Sequence, residues 1–143
     1  MITTLPGPVS SGTRRVRAPA LLAVGVLGVS VLLHVRDPHQ SGSWGFCPWL
    51  LLTGTSCPGC GGLRAVNDLT HGNLAAAASS NLLFVGAIPL VVLWWARWLA
   101  DRWNGVVRPT STRRAFVYCG VFLAVAVMFA VARNLEVGAW LAP

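Results

Sequence analysis

The stretch Ala18–Val35, APALLAVGVLGVSVLLHV, runs 18 residues without a charge. As a helix rising 1.5 Å per residue it reaches about 27 Å, close to the roughly 30 Å hydrocarbon core of a bilayer. Two further stretches are comparable: Leu82–Ala100, uncharged except for Arg97 near its end, and Ala115–Ala132. Pro89 falls inside the second, where a membrane helix more often kinks than stops. Composition points the same way. Only 10% of the 143 residues are charged, and 55% belong to the apolar and aromatic types. A typical soluble domain carries about 25% charge. A soluble enzyme, a disordered chain and a fibrous protein are all poor fits. The expected fold is all-α, with three transmembrane helices in a chain long enough for one domain.

The net charge is +7, from eleven arginines and four acids, with no lysine. The arginines flank the apolar runs and form no patch with interleaved stacking aromatics. They read as topology determinants, so nucleic acid is not an expected partner. Three of them, Arg14, Arg15 and Arg17, precede the first run; five, Arg97, Arg102, Arg108, Arg113 and Arg114, lie at the end of the second or after it. Arg36, Arg64 and Arg133 fall on the opposite side. The positive-inside rule therefore puts the N-terminus inside and the C-terminus outside. Trp94, Trp95, Trp98 and Trp103 would line the inner interface, and Trp44, Trp49 and Trp140 the outer one. The first run is longer than a usual signal core, and Arg36-Asp37-Pro38-His39 follows it in place of a small-residue cleavage site. It reads as an anchor.

The chain then divides into a disordered cytoplasmic tail (1–17), membrane spans (18–35, 82–100 and 115–132), an extracytoplasmic loop with short helices (36–81), a cytoplasmic Arg-rich loop (101–114) and an extracytoplasmic C-terminus (133–143). The abundance of Arg, Ala and Val without lysine hints at a GC-rich bacterial genome, and so at the inner membrane. The lipid bilayer is the expected environment, with another membrane protein or a second copy as candidate partners.

The chemistry lies in the loop 36–81. It carries Cys47-Pro48, then Thr53-Gly54, then Cys57-Pro58-Gly59-Cys60-Gly61-Gly62 and Leu63-Arg64-Ala65. Proline and glycine between two cysteines make a tight turn. Gly61 and Gly62 let the backbone leave it without a Cβ clash. A short helix is expected over Leu63–His71, with Leu63, Val66 and Leu69 on one face. Gly72 suits the left-handed residue that ends it, and Asn73 the cap of the next helix. Leu74–Ser80 runs on through Asn81 into the second span, giving a re-entrant or interfacial hairpin on the outer face.

These residues resemble an uncharacterised family of small bacterial membrane proteins, a domain of unknown function. The resemblance rests on Cys47-Pro48, Thr53-Gly54, Cys57-Pro58, Cys60-Gly61, Arg64-Ala65, Gly72 and Asn81. Many members have Thr before the Arg and Pro after the Asn, where this chain has Leu63 and Leu82. The resemblance implies a fold and supplies no activity.

Three readings of the outer thiols follow. In the first, Cys47 is bridged to Cys57 or Cys60, stapling the hairpin of a structural or interaction subunit. Closing such a loop is worth on the order of 3 kcal/mol in the entropy model. In the second, Cys47, Cys57 and Cys60 bind a zinc-like metal with His71 or His39 as fourth ligand, three Cys and one His being a known closed set. In the third, Cys57 and Cys60 exchange disulfides, activated by the following helix and Arg64, with Cys47 as resolving thiol. Gly61 stands where a c-type haem motif needs histidine. Cys119 reads as an apolar residue of the third span. Arg64 and Asp68 have the spacing of an i,i+4 pair, and Arg133 and Glu136 that of an i,i+3 pair at the outer end of span three.

Overall fold

The computed structural model describes residues 12–40, 43–44, 47–109 and 111–141. It is all-helical, with no strand among the described residues. The elements are α1 (Gly12–Val35), α2 (Pro48–Thr53), α3 (Gly62–Thr70), α4 (Leu74–Trp103), α5 (Thr112–Arg133) and a 3-10 segment, Glu136–Leu141. Three helices, α1, α4 and α5, are long and apolar enough to cross a membrane. Of the tail expected to be disordered, residues 1–11 lie outside the described residues, while α1 takes in 12–17. Arginine is a good helix former, and the three basic residues there extend the apolar helix.

α1 and α4 pack antiparallel. At one end Trp95 Nε1 donates to Pro19 O at 3.1 Å. At the other, α3 wedges against both helices, with Leu33 and Ala65 almost fully buried and Ala77 beside them. Alanine at these positions lets the helix axes approach closely. The last turn of α1 has unpaired carbonyls, as every helix end does. Asn67 Nδ2 takes one of them, donating to Leu33 O at 2.7 Å.

α4 is two helices joined at a break. Asn73 caps the first, its side chain accepting from Ala76 N at 3.0 Å. Asn81 leaves the helical conformation (φ −162°, ψ 93°), and its Oδ1 accepts from Phe84 N at 2.9 Å, capping the membrane-length part. α5 has little packing against α1 or α4. It is tied in at its C-terminal end, through the 3-10 segment and through side chains that reach the cysteine loop. The buried polar residues, Asn67, Asp68, Ser80, Asn81 and Arg133, belong to α3, the α4 break and the end of α5, while most large apolar side chains of the long helices are exposed. Such a distribution suits a lipid surround, where helix exteriors are apolar and polar groups are satisfied inward.

Candidate functional site: three converging thiols

Cys47 sits at the N-cap of α2 with extended backbone, and Pro48 fills the first helical position, where its missing N–H costs nothing. Gly54, at φ +68°, ends α2 after a turn and a half. Trp49, Thr53 and Thr55 then lock the exit: Trp49 Nε1 donates to Thr55 Oγ1 at 3.1 Å, and Thr53 Oγ1 to Trp49 O at 2.7 Å. Cys57 and Cys60 lie on a tight turn, with Cys60 N donating to Cys57 O at 3.1 Å and Gly62 N to Gly59 O at 3.0 Å. Gly61 carries the chain into α3 at φ +81°, a conformation that a side chain would resist.

These two devices bring Cys47, Cys57 and Cys60 together. Their sulfurs all lie within 4.8 Å of one another. Cys47 Sγ is 3.5 Å from Cys57 Sγ, which is 2.9 Å from Cys60 Sγ. All three are free thiols, and so is Cys119, which sits exposed on α5 outside the cluster. The thiols are unequal. Burial, reinforced by its sulfur neighbours, pushes the Cys60 thiol up to about 12. The Leu50 N–H at the start of α2, helped by the neighbouring thiols, holds Cys47 below the ordinary thiol value.

The cysteine turn is gripped from two sides. Asn81 Nδ2 donates to Pro58 O at 2.9 Å and to Cys60 O at 3.0 Å. Arg133, 2% exposed, reaches across from the end of α5. One of its terminal nitrogens donates to Cys57 O at 2.9 Å and Cys60 O at 3.0 Å, the other to Leu141 O at 2.8 Å. Its Nε has no hydrogen-bond partner, and its plane rests over Phe129 at 5.1 Å. Next to it Asn134 pairs with the backbone of Ser56, accepting its N–H at 2.8 Å and donating to its carbonyl at 2.9 Å. With the turn's carbonyls held on these side chains, the sulfurs are presented on a fixed frame.

Other expectations resolve differently. Arg133 and Glu136 do not pair; the arginine is committed to the cysteine turn. Nor does Arg64 pair with Asp68, which instead accepts from Ser80 Oγ at 2.9 Å and faces His39 Nε2 at 3.4 Å. His71 stands at the far end of α3, its Nδ1 2.9 Å from Asn67 O and its ring stacked on His34 at 4.2 Å. Neither His71 nor His39 joins the thiol group. Gly72 is left-handed at φ +76°. Pro48, Pro58, Gly59, Gly61 and Asn81 all belong to the frame around the sulfurs. The spacing of Arg133 to Glu136 does not foretell its hold on the cysteine turn, and for Asn134 the sequence offers only its place after Arg133 at the end of an apolar span.

Residues 47–95 match a family model described as a protein of unknown function (DUF2752). The matched segment takes in all three thiols, the turn between them, α3 and the Asn81 break. No curated protein and no solved structure matches the chain.

Proposed function

We propose that this protein is a membrane-anchored metal-thiolate centre, in which Cys47, Cys57 and Cys60 hold a soft or borderline divalent ion such as zinc. The observation that carries the reading is the convergence of three free sulfurs within 4.8 Å. A staple uses two sulfurs and has no need of the third; an ion uses all three. Tetrahedral zinc with Zn–S bonds of about 2.3 Å sets its sulfurs about 3.8 Å apart. The Cys47–Cys57 distance is near that already, and the Cys57–Cys60 pair would open by about 1 Å on binding. Arg133 fits the chemistry as well, since a cation beneath the turn offsets the negative charge of a thiolate set.

In this reading the spans cross a bacterial inner membrane, N-terminus inside, and the cysteine loop lies on the outer face. The exposed apolar side chains of α2, Trp49, Leu50, Leu51 and Leu52, would rest in the interface as part of the hairpin. The test is a metal and thiol count on protein purified in detergent. One equivalent of metal is expected from elemental analysis, with four alkylated cysteines by intact mass after denaturation with chelator and without reductant. Two alkylated cysteines and no metal would replace the metal centre by a disulfide, either a staple or an exchange pair.

A further inference from the structure

Beside the thiols lies a cavity of about 390 Å³. Cys47 and Cys60 open onto it, the Gly59–Gly62 turn forms part of its lining, and Trp44, Leu51 and Arg64 contribute side chains. A Cβ placed on Gly62 would meet nothing within 4 Å, so the glycine leaves that part of the wall open. Arg64 is half-buried. Its hydrogen bond among the described residues is a long one, Nε to Pro38 O at 3.5 Å, and no carboxylate of those residues lies within ion-pair distance. A guanidinium in that state, at the wall of a partly enclosed cavity, favours an anion and is shaped for a carboxylate.

We propose that this cavity admits a small mercaptocarboxylate, whose sulfur supplies the fourth bond to the ion held by Cys47, Cys57 and Cys60 and whose carboxylate lies against Arg64. The inference rests on the metal reading above. The donor count calls for such a ligand. Zinc takes four ligands, and the cluster supplies three sulfurs with no fourth His, Cys, Asp or Glu among the described residues. The volume suits a ligand of few heavy atoms, at the small end of ligand pockets. The step is a ligand exchange. The incoming thiol would give its proton to bulk water, its sulfur lone pair would form the fourth metal–sulfur bond as any solvent ligand there leaves as water, and no electron is transferred.

The full-length protein, loaded with Co²⁺ in detergent under reductant-free, oxygen-free conditions, tests this. Thiolate-to-cobalt charge-transfer bands report the three protein sulfurs, and the visible ligand-field bands report the fourth position. Mercaptoacetate and its methyl ester are titrated in parallel, with retention of cobalt checked after desalting. Mercaptoacetate is expected to bind about tenfold or more tightly than the ester, since only it forms a charge-assisted bond with Arg64. In Arg64→Gln the two should fall within about twofold, and Arg64→Lys should recover part of the preference. Ligand-field bands that ignore mercaptoacetate, or equal affinity for acid and ester in the native protein, overturn the proposal while leaving the metal site standing. Absence of the charge-transfer bands before any thiol is added overturns the metal reading itself, and this proposal with it.

Discussion

Arg133 illustrates how far a single side chain organises this molecule. A buried guanidinium needs partners for its donors, and here three carbonyls from two segments take its two terminal nitrogens, leaving Nε alone unpartnered. Hydrogen bonds to a charged group are worth roughly 1.5–3 kcal/mol each. Arg133→Ala leaves the Cys57, Cys60 and Leu141 carbonyls short of partners, so a marked loss of stability is expected, visible as a lower melting temperature. Cys57 and Cys60 should also alkylate faster below that temperature, because the turn has lost its support. Lysine cannot span the same acceptors with one ammonium, so Arg133→Lys should fall between the two. The thiols themselves give a pH prediction. Cys60 has its ionisation raised from about 9 to about 12 by burial. A thiol raised in the folded state stabilises the metal-free protein below its unfolded value and loses that contribution as pH climbs through the folded one. Metal-free stability should therefore decline between about pH 9 and 12. Over the same range Cys47, whose ionisation is lowered, should alkylate at a lower pH than Cys60. Quantitative mass spectrometry of each labelled cysteine checks both.

At the scale of elements, the break in α4 and the close seating of the 3-10 segment hold the site. Asn81 does two jobs with one amide: its oxygen caps the membrane-length part of α4, and its nitrogen holds the cysteine turn. Asn81→Asp keeps the acceptor and loses the donor; Asn81→Ala loses both. Hydrogen exchange should therefore quicken at Cys57–Cys60 in both variants, but at Phe84 only in Asn81→Ala, where loss of a cap costs about 0.5–2 kcal/mol. Gly138 is fixed by a close approach, since a Cβ there would run into the backbone of Ala132. Gly138→Ala should push the 3-10 segment off α5, carry the Leu141 carbonyl away from Arg133 and reproduce a weaker form of the Arg133→Ala phenotype in the same labelling assay. Several elements were legible in the sequence because their signals are local: uncharged runs of bilayer length, the 63–71 periodicity, left-handed Gly72 and the Asn73 cap. α2 is short, and its Trp-Leu-Leu-Leu core has no helical periodicity to read. The clamp on the cysteine turn was illegible for another reason. Arg133 and Cys57 stand 76 positions apart. Beyond its place beside Asn134 at the end of an apolar span, nothing local to Arg133 records that contact, and its spacing to Glu136 imitates an ordinary surface pair.

For the whole molecule the decisive quantity is orientation, because it sets the redox surroundings of the thiols. Three crossings by the helices long and apolar enough to span would put the termini on opposite sides. Counting arginines puts eight on one side, in the N-terminal flank and the 97–114 region, and three on the other. One of the eight, Arg108, is tied to Asp101 by two bonds of 2.7 and 3.0 Å, which still leaves a clear excess. Positive charge is retained on the cytoplasmic side, so the expected arrangement is N-terminus inside, cysteine cluster and C-terminus outside. Alkaline phosphatase fused after Pro143 should be active, and the same reporter inserted in the 101–114 loop inactive, with a fluorescent-protein fusion giving the reverse pattern. Membrane-impermeant maleimide applied to intact cells after chelation should reach Cys47. The opposite pattern would overturn the arginine count and bring the thiols into a reducing compartment, where disulfides rarely persist. In the outward arrangement the cluster faces oxidising conditions with three reduced sulfurs, and a bound ion is what would keep them so. Stripping metal from outward-facing protein should then convert Cys47 or Cys60 and Cys57 to a disulfide in air, while metal-loaded protein keeps four alkylatable cysteines. Equal oxidation with and without metal would remove the ion from that protective role.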